Sequence, residues 1–351
     1  MMPLIIQEAS LSHRFITELR EGDTLKQFFL LQRVENRRTK GGKPYLDLML
    51  ADQTGTIKAK VWEEALQKCS GDLTPCDFVA VTGVVEAFQG ILQVNLTFID
   101  TVERLRAMGR PLKNFERDIL VRATSHDREA LWRDLVELVE AHIRPPLREL
   151  VLALLHKYQT QFMEWPGAEV YHHAYLGGLL EHTWSVARHA QRSLEVYPDL
   201  NANLVLAGAI LHDLGKIEEL TDPACPHRSA AGGLLGHIVL GWNMIREEAR
   251  ILEFPDEQLL MALEHIIIAH HGAEEFGSPI TPRTPEALLV YYLDEIDSKL
   301  HMMQRHLEDD VSDGDFTSYH YIMKRRFYRP AIFPDNASEP PPADDDPSPQ
   351  E

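Results

Sequence analysis

The chain of 351 residues carries 54 acidic and 35 basic side chains, which gives a formal net charge of −19. Its hydrophobic fraction of 44 % and charged fraction of 25 % are typical of a globular protein, and its length suits two domains. The sequence has no run of 18 apolar residues, so we expect no membrane-spanning helix and no membrane partner. The beginning lacks the pattern of a secretory signal. The acidic balance also argues against a protein covered in nucleic acid, although it is compatible with a local basic patch.

Three cysteines, Cys69, Cys76 and Cys225, are spread along the chain without a Cys-x-x-Cys pair. So small a number of cysteines argues against a disulfide framework and against a zinc site with thiolate ligands. We therefore expect a protein of the reducing cytoplasm.

Residues 12–104 are predicted to form an N-terminal five-stranded OB-fold β-barrel. Five runs rich in β-branched and aromatic residues are separated by turn sequences such as Gly41-Gly42-Lys43-Pro44. A short helical stretch, Glu63–Lys68, follows the third run, as in an OB-fold, whereas an SH3-like barrel shares only the strand number. The predicted strands are Leu25–Val34, Tyr45–Leu50, Thr56–Trp62, Phe78–Val85 and Leu92–Ile99.

The predicted barrel carries a candidate surface for single-stranded nucleic acid. OB-folds bind single strands with a basic groove and with aromatic side chains on which the bases stack. The turn after the first strand is basic, but a cationic hairpin is also common as a merely solvated loop. Trp62 is assigned to the barrel interior. The candidate nucleic-acid-binding residues are Arg37, Arg38, Lys43, Tyr45 and Phe88.

The remainder of the chain is predicted to be helical. Residues 105–127 are interpreted as a linker, and from residue 128 onward apolar residues recur at three- and four-residue spacing. We therefore predict an all-α domain over residues 128–328. Thr284 and Pro285 provide one clear helix start. Residues 334–351 contain six prolines and six acidic residues and are expected to be a disordered acidic tail.

The histidines are the most informative feature of the helical region, because twelve of the 17 lie between residues 171 and 306. His212-Asp213 ends the apolar run Leu204–Leu211. An imidazole and a carboxylate at the end of a buried helix are costly unless they are paired or bound to a metal. A surface-exposed helix end is the alternative. Other potential ligands in apolar helical sequence are His182, His237, His270, His271 and Asp294.

This ordered series resembles the HD-domain metal-dependent phosphohydrolases, whose minimal pattern is a His, a His-Asp pair and a distant Asp. More narrowly, it resembles the YhaM-type 3′-5′ exoribonucleases, in which an OB-type domain precedes the HD domain. The resemblance covers roughly residues 15–325. It rests on the segments HHAY at 172–175, GLLEHT at 178–183, LHDLGK at 211–216, GLLGH at 233–237 and HHG at 270–272.

The resemblance implies a centre that holds one or two divalent metal ions per chain. Imidazole and carboxylate ligands suit Mn²⁺, Co²⁺, Fe²⁺, Zn²⁺ or Ni²⁺, of which we expect Mn²⁺. Two ions roughly 3.5–4 Å apart can generate hydroxide and neutralise the charge of a phosphodiester. The implied ligands are His182, His212 and Asp294 around one ion, His237, His270 and His271 around the other, and Asp213 as the bridge.

Residues beside these motifs have more than one interpretation. Asp213 and Lys216 are the candidate catalytic residues, with Lys216 either contacting a phosphate oxygen or acting as a cation at a helix end. His265 lies about 140° from His270 around a helix and is expected behind the ligands or in the core. Asp297, one helical turn after the last ligand, either orients a ligand or is solvated.

The favoured function is a metal-dependent 3′-5′ exoribonuclease. It would hydrolyse phosphodiester bonds of single-stranded RNA, or of single-stranded DNA, and the resemblance implies release of 5′-nucleoside monophosphates. Two alternatives stay open: an HD-domain phosphohydrolase of a small nucleotide, and a single-strand-binding module with a structural metal site. The complete ligand series argues against the latter, because unpaired buried ligands are destabilising. Assembly into a homo-oligomer is also left open.

Overall fold

The chain forms two compact units, one up to Ser298 and one from Lys299 onward. The predicted tail over 334–351, together with His172 and Lys40, lies outside the described residues. The residues that the computed structural model describes are 13–39, 41–66, 69, 72–88, 90–169, 173–310, 312 and 314–329.

Five strands close into a barrel in the order β1-β2-β3-β5-β4, which confirms the predicted OB-fold. β3 and β5 pair in parallel and the other neighbours are antiparallel. A one-turn helix, α1 (Glu63–Leu66), lies between β3 and β4 as predicted. Each strand extends beyond its predicted run at one end or at both. The strands are β1 Thr24–Arg38, β2 Pro44–Asp52, β3 Gly55–Trp62, β4 Phe78–Phe88 and β5 Ile91–Thr101.

Side-chain alternation along β3 decides which residues fill the barrel. Ile57, Ala59 and Val61 are buried in the barrel core. Because successive side chains of a strand point to opposite faces, Lys60 and Trp62 lie on the outer face. The assignment of Trp62 to the barrel interior is therefore wrong; its indole is only partly buried.

The helical region confirms the predicted all-α domain. Its central helix is α7, where every residue from Leu204 to Leu211 is buried. α11 begins at Pro285 as predicted, and Thr284 Oγ1 accepts a hydrogen bond from the Ala287 N–H at 3.2 Å. The helices are α2 Val102–Ala107, α3 Arg128–His142, α4 Leu147–Lys157, α5 Gln159–Glu164, α6 Gly178–Val196, α7 Ala202–Leu211, α8 Lys216–Glu219, α9 Ala230–Ile251, α10 Glu257–Ala269 and α11 Pro285–Asp309. Among the described residues, none of the helices is both long and apolar enough for a membrane span.

A disulfide joins the barrel to the helical domain. It connects Cys76, just before β4, with Cys225, between α8 and α9. Beside it, Leu30 of the barrel packs in a small apolar cluster with Leu176 and Ala224 of the helical domain. The sequence predicts no disulfide framework and did not indicate this single bond, because the two cysteines are 149 positions apart and only the tertiary structure brings them together.

The unit from Lys299 onward contains the end of α11 and a series of turns. Thr317 and Phe327 exchange two hydrogen bonds, from the Thr317 N–H to the Phe327 carbonyl at 2.8 Å and from the Phe327 N–H to the Thr317 hydroxyl at 3.0 Å. The carboxylate of Asp310 pairs with Arg329. α11 ends at Asp309, and these contacts hold the turns that follow it.

Candidate metal centre and nucleic-acid surface

All seven ligands implied by the sequence resemblance lie together in the helical domain. Three of them lie within helices and four follow the end of a helix, and the packing of these helices brings them to one place. His237 and His271 are partly exposed, whereas the other five are buried. The positions are His182 in α6, His212 and Asp213 after α7, His237 in α9, His270 and His271 after α10, and Asp294 in α11.

One group of potential ligands surrounds Oδ2 of Asp213. His182 Nε2 lies 3.4 Å from this oxygen and 3.2 Å from Asp294 Oδ1. His212 Nε2 lies 3.5 Å from the same Asp213 oxygen and 3.1 Å from His182 Nε2. Four side chains from three helical segments therefore aim donor atoms at one buried point.

A second group faces the other oxygen of the same carboxylate. Asp213 Oδ1 lies 3.5 Å from His237 Nε2 and 3.7 Å from His270 Nε2. These three buried atoms have no hydrogen-bond partner among the described residues. Donor atoms of His237, His270 and His271 lie within 4.8 Å of one another. Burial and neighbouring histidines hold the pKa of His270 well below its usual value, so its Nε2 keeps a free lone pair.

All five histidines are oriented in the same way. In each ring, Nδ1 faces a protein oxygen, so Nδ1 carries the hydrogen and Nε2 is left for another partner. This is the usual second hydrogen bond of metal-binding histidines. The Nδ1 partners are Asp297 for His182 (2.7 Å), the Ala209 carbonyl for His212 (2.9 Å), Glu219 for His237 (3.1 Å), the Ile267 carbonyl for His270 (2.6 Å) and the Phe276 carbonyl for His271 (2.7 Å).

This orientation makes the site suitable for cations. Because His212 Nδ1 donates to a carbonyl, its Nε2 is an acceptor, and it lies only 3.1 Å from His182 Nε2. Two acceptor nitrogens at this distance require a cation, either a proton on His182 or a metal ion. Burial lowers the pKa of His182, but hydrogen bonds to three carboxylates outweigh burial and hold that pKa well above its usual value.

Lys216 and Asp297 complete the surroundings of the first group. The buried Lys216 Nζ donates to Asp213 Oδ2 at 2.6 Å. Burial alone would raise the pKa of Asp213, but the Lys216 charge and the neighbouring histidines hold that pKa well below its usual value. Asp297 is also buried and lies within hydrogen-bond distance of both His182 and His173, so it is not solvated and its position is that of a residue that orients His182.

His265 lies apart from both groups. Its Nε2 accepts a hydrogen bond from the Arg283 N–H at 2.8 Å and so holds the segment before α11. Glu219, in contrast, belongs to the surroundings of the centre although sequence reasoning did not select it. The available signal was weak: Glu219 lies in the same short helix as Lys216, but a surface glutamate would look the same in sequence.

The outer face of the barrel carries an aromatic surface. Tyr45 and Trp62 lie side by side, with ring centroids 5.1 Å apart. Lys60 Nζ lies 5.4 Å from the Trp62 centroid and 5.1 Å from the Phe88 centroid. Strand alternation in β3 was the signal that could have identified Trp62. We call these four side chains the barrel platform.

The predicted basic residues of the barrel have partners of their own. Arg37 pairs with Glu35, and Lys43 pairs with Glu63 at 2.9 Å. Arg38 donates to the Gly42 carbonyl at 2.9 Å, which holds the turn between β1 and β2. All three side chains are exposed, but the acidic partners of Arg37 and Lys43 reduce the attraction of those two for a nucleic-acid strand.

Comparison with known proteins agrees with both halves of this architecture. Residues 33–102 match the model of the OB-fold nucleic acid binding domain, and residues 179–299 match that of the HD domain. The 3′-5′ exoribonuclease YhaM of Bacillus subtilis is 32 % identical over 312 residues, which are 89 % of this chain and 96 % of that protein. YhaM of Geobacillus is 34 % identical over 310 residues, covering 88 % and 93 %. This chain belongs to the YhaM family.

Membership of the YhaM family accounts for the order of the two domains and confirms the family resemblance read from the sequence. An HD domain also implies dependence on a divalent metal. Among solved structures, the second OB-fold domain of replication protein A from Methanococcus maripaludis matches with 21 % identity and a TM-score of 0.21. The match covers 26 % of this chain and 96 % of that one.

Proposed function

We propose that this protein is a metal-dependent hydrolase that removes nucleotides from the 3′ end of single-stranded RNA and releases 5′-nucleoside monophosphates. The observation that carries the proposal is the carboxylate of Asp213, whose two oxygens face two separate groups of histidine Nε2 atoms. A single residue that serves two donor groups is suited to a two-ion centre.

The donor groups fit two divalent cations, and we propose Mn²⁺ for both. Ions held there would activate a water molecule and neutralise the charge of the phosphodiester. Lys216 holds Asp213 in its ionised form and is close enough to the centre to contact a phosphate oxygen. The proposed ligands are His182, His212, Asp294 and Asp213 Oδ2 for the first ion, and His237, His270, His271 and Asp213 Oδ1 for the second.

We propose that the barrel platform binds the single-stranded RNA, whose bases can stack on Tyr45, Trp62 and Phe88. Lys60, between two of these rings, can contact the backbone phosphates. Arg37, Arg38 and Lys43 border this region and would add a salt-dependent attraction, which the acidic partners of Arg37 and Lys43 weaken. Single-stranded DNA has the same bases and backbone charge, so it is a second candidate substrate. We also propose a cytoplasmic location, as the sequence predicts.

The test is incubation of the purified protein with Mn²⁺ and a 5′-labelled oligoribonucleotide, in parallel with free nucleotides. We expect a ladder of products shortened from the 3′ end. Asp213→Ala should abolish the ladder and leave strand binding intact, whereas the exposed Asp199→Ala, a matched change of charge, should have no effect. Turnover of free nucleotides alone would instead support the small-nucleotide hydrolase, and tight binding without cleavage the binding module.

A further inference from the structure

The two histidine groups share a feature that the backbone alone does not provide. Three of the five rings are held at Nδ1 by main-chain carbonyls, which follow from the local fold. In each group, however, one ring is held by a carboxylate: Asp297 holds His182 in the first, and Glu219 holds His237 in the second. The orientation of these two rings therefore depends on individual side chains.

His237 needs such support more than His182 does. His182 lies within the regular helix α6, but His237 directly follows Gly236, whose φ of 72° and ψ of 159° interrupt α9. A side chain at such a break is not held by a continuous helix on both sides. Its ring is also partly exposed, so fewer packed neighbours restrict its rotation.

Glu219 is placed to supply that support. It is the last residue of α8 and is buried, with Oε2 3.1 Å from His237 Nδ1. The backbones of α8 and α9 are in direct contact there: a Cβ at Gly232 would lie 2.3 Å from the Glu219 carbonyl oxygen. The Ser229 N–H also donates to that oxygen at 2.8 Å. On the other side of the break, a Cβ at Gly215, the residue before α8, would lie 2.0 Å from the His237 carbonyl oxygen, so the backbone of α8 is also held against the segment that carries His237.

We propose that Glu219 is the positioning residue of the second ion site: its carboxylate orients His237 and thereby sets the affinity of the ion bound by His237, His270 and His271. This inference rests on the proposed two-ion centre. Glu219 does not touch the substrate or the ion, and its effect passes through the His237 ring. The first ion site, which uses Asp297 in the same way, is independent of Glu219.

The expected effect is selective. Loss of an outer hydrogen-bond partner of a metal-binding histidine reduces metal affinity by about 10- to 100-fold. Glu219→Ala should weaken one of the two Mn²⁺ sites by that factor and leave the other unchanged. Glu219→Gln retains an oxygen that can accept from His237 Nδ1, so its loss should be smaller.

The experiment is calorimetric titration of the metal-free full chain with Mn²⁺, for the wild type, Glu219→Ala and Glu219→Gln. Glu218→Ala is the matched control, because it removes the same charge from the exposed neighbouring position. Electron paramagnetic resonance of the loaded proteins reports whether two Mn²⁺ ions are close enough to couple. We expect two tight ions and a coupled signal in the wild type and in Glu218→Ala; in Glu219→Ala we expect one ion of unchanged affinity, a second bound about 10- to 100-fold more weakly, and a coupled signal only at correspondingly higher Mn²⁺.

The possible failures are distinguishable. Two ions of unchanged affinity in Glu219→Ala would overturn the positioning role and leave the proposed function intact. Fewer than two ions in the wild type would overturn the two-ion centre and the inference with it. If Glu219→Ala does not fold, as judged by circular dichroism, Glu219→Asp decides, because its side chain keeps the charge but is one methylene shorter than the one that reaches His237 Nδ1: a weakened second site supports the inference and an unchanged one overturns it.

Discussion

The Nε2 atoms of His182 and His212 lie 3.1 Å apart, and both side chains are fully buried. His212 Nε2 is an acceptor, and the pKa of His182 is held well above its usual value because hydrogen bonds to carboxylates outweigh burial. We therefore expect His182 to carry a proton on Nε2 in the metal-free protein. Metal binding requires that proton to leave.

We therefore expect Mn²⁺ binding near pH 7 to release about one proton per chain from His182. The sign follows from the raised pKa: His182 is protonated below it, so the apparent metal affinity rises as the pH rises toward that pKa. Titration calorimetry in two buffers of different ionisation enthalpy measures the release. Equal heats in both buffers would show that no proton leaves and would contradict the assignment.

The backbone at Gly236 gives a second prediction. Its φ of 72° with ψ of 159° lies in a region that is essentially restricted to glycine. Gly236→Ala should cost about 1–3 kcal/mol of unfolding free energy and should also weaken Mn²⁺ binding, because His237 follows directly. Urea unfolding and metal titration provide the measurements.

Gly233→Ala is the control for Gly236→Ala. A Cβ at either position would have no atom within 4 Å, so the two substitutions differ in backbone conformation and not in steric crowding. Gly233 lies in the helical first part of α9, where alanine is favoured over glycine by about 0.5–1 kcal/mol. Equal effects of the two changes would refute the conformational explanation.

The barrel platform predicts which substitutions weaken strand binding. Removal of a stacking side chain costs about 1–3 kcal/mol per base, so Trp62→Ala should raise the Kd for a single-stranded oligoribonucleotide by about 5- to 150-fold. The Kd is measured by fluorescence anisotropy. All variants carry Asp213→Ala as well, because this substitution should prevent cleavage of the oligoribonucleotide during the measurement. Tyr197→Ala, an exposed aromatic at the end of α6, should leave the Kd unchanged. A Kd for Trp62→Ala equal to that of the control would remove Trp62 from the interface.

The disulfide predicts a thiol count. In denaturant without reductant only Cys69 should react with a thiol reagent, and all three cysteines should react after reduction. Because the bond closes a long loop, Cys76→Ser should lower the unfolding free energy by about 2–5 kcal/mol under non-reducing conditions. Three reactive thiols before reduction would show that the bond does not form in solution.

The sequence by itself determined the barrel and the identity of the seven potential ligands. The alternation within β3 and the continuous apolar sequence of α7 are both short-range patterns that can be recognised in the sequence. Because α7 is buried, the polar side chains of His212 and Asp213 at its end need partners there. The same alternation, applied to Trp62, was sufficient to place it on the outer face.

Only the tertiary structure decided how those residues are supported. Glu219 reaches His237 because α8 and α9 touch at glycine, and Asp297 reaches His182 across 115 positions of sequence. Likewise, Cys76 and Cys225 meet only when the barrel packs on the helical domain. Contacts of this kind depend on how whole elements pack, and packing over such separations leaves no periodic trace in the residues that it brings together.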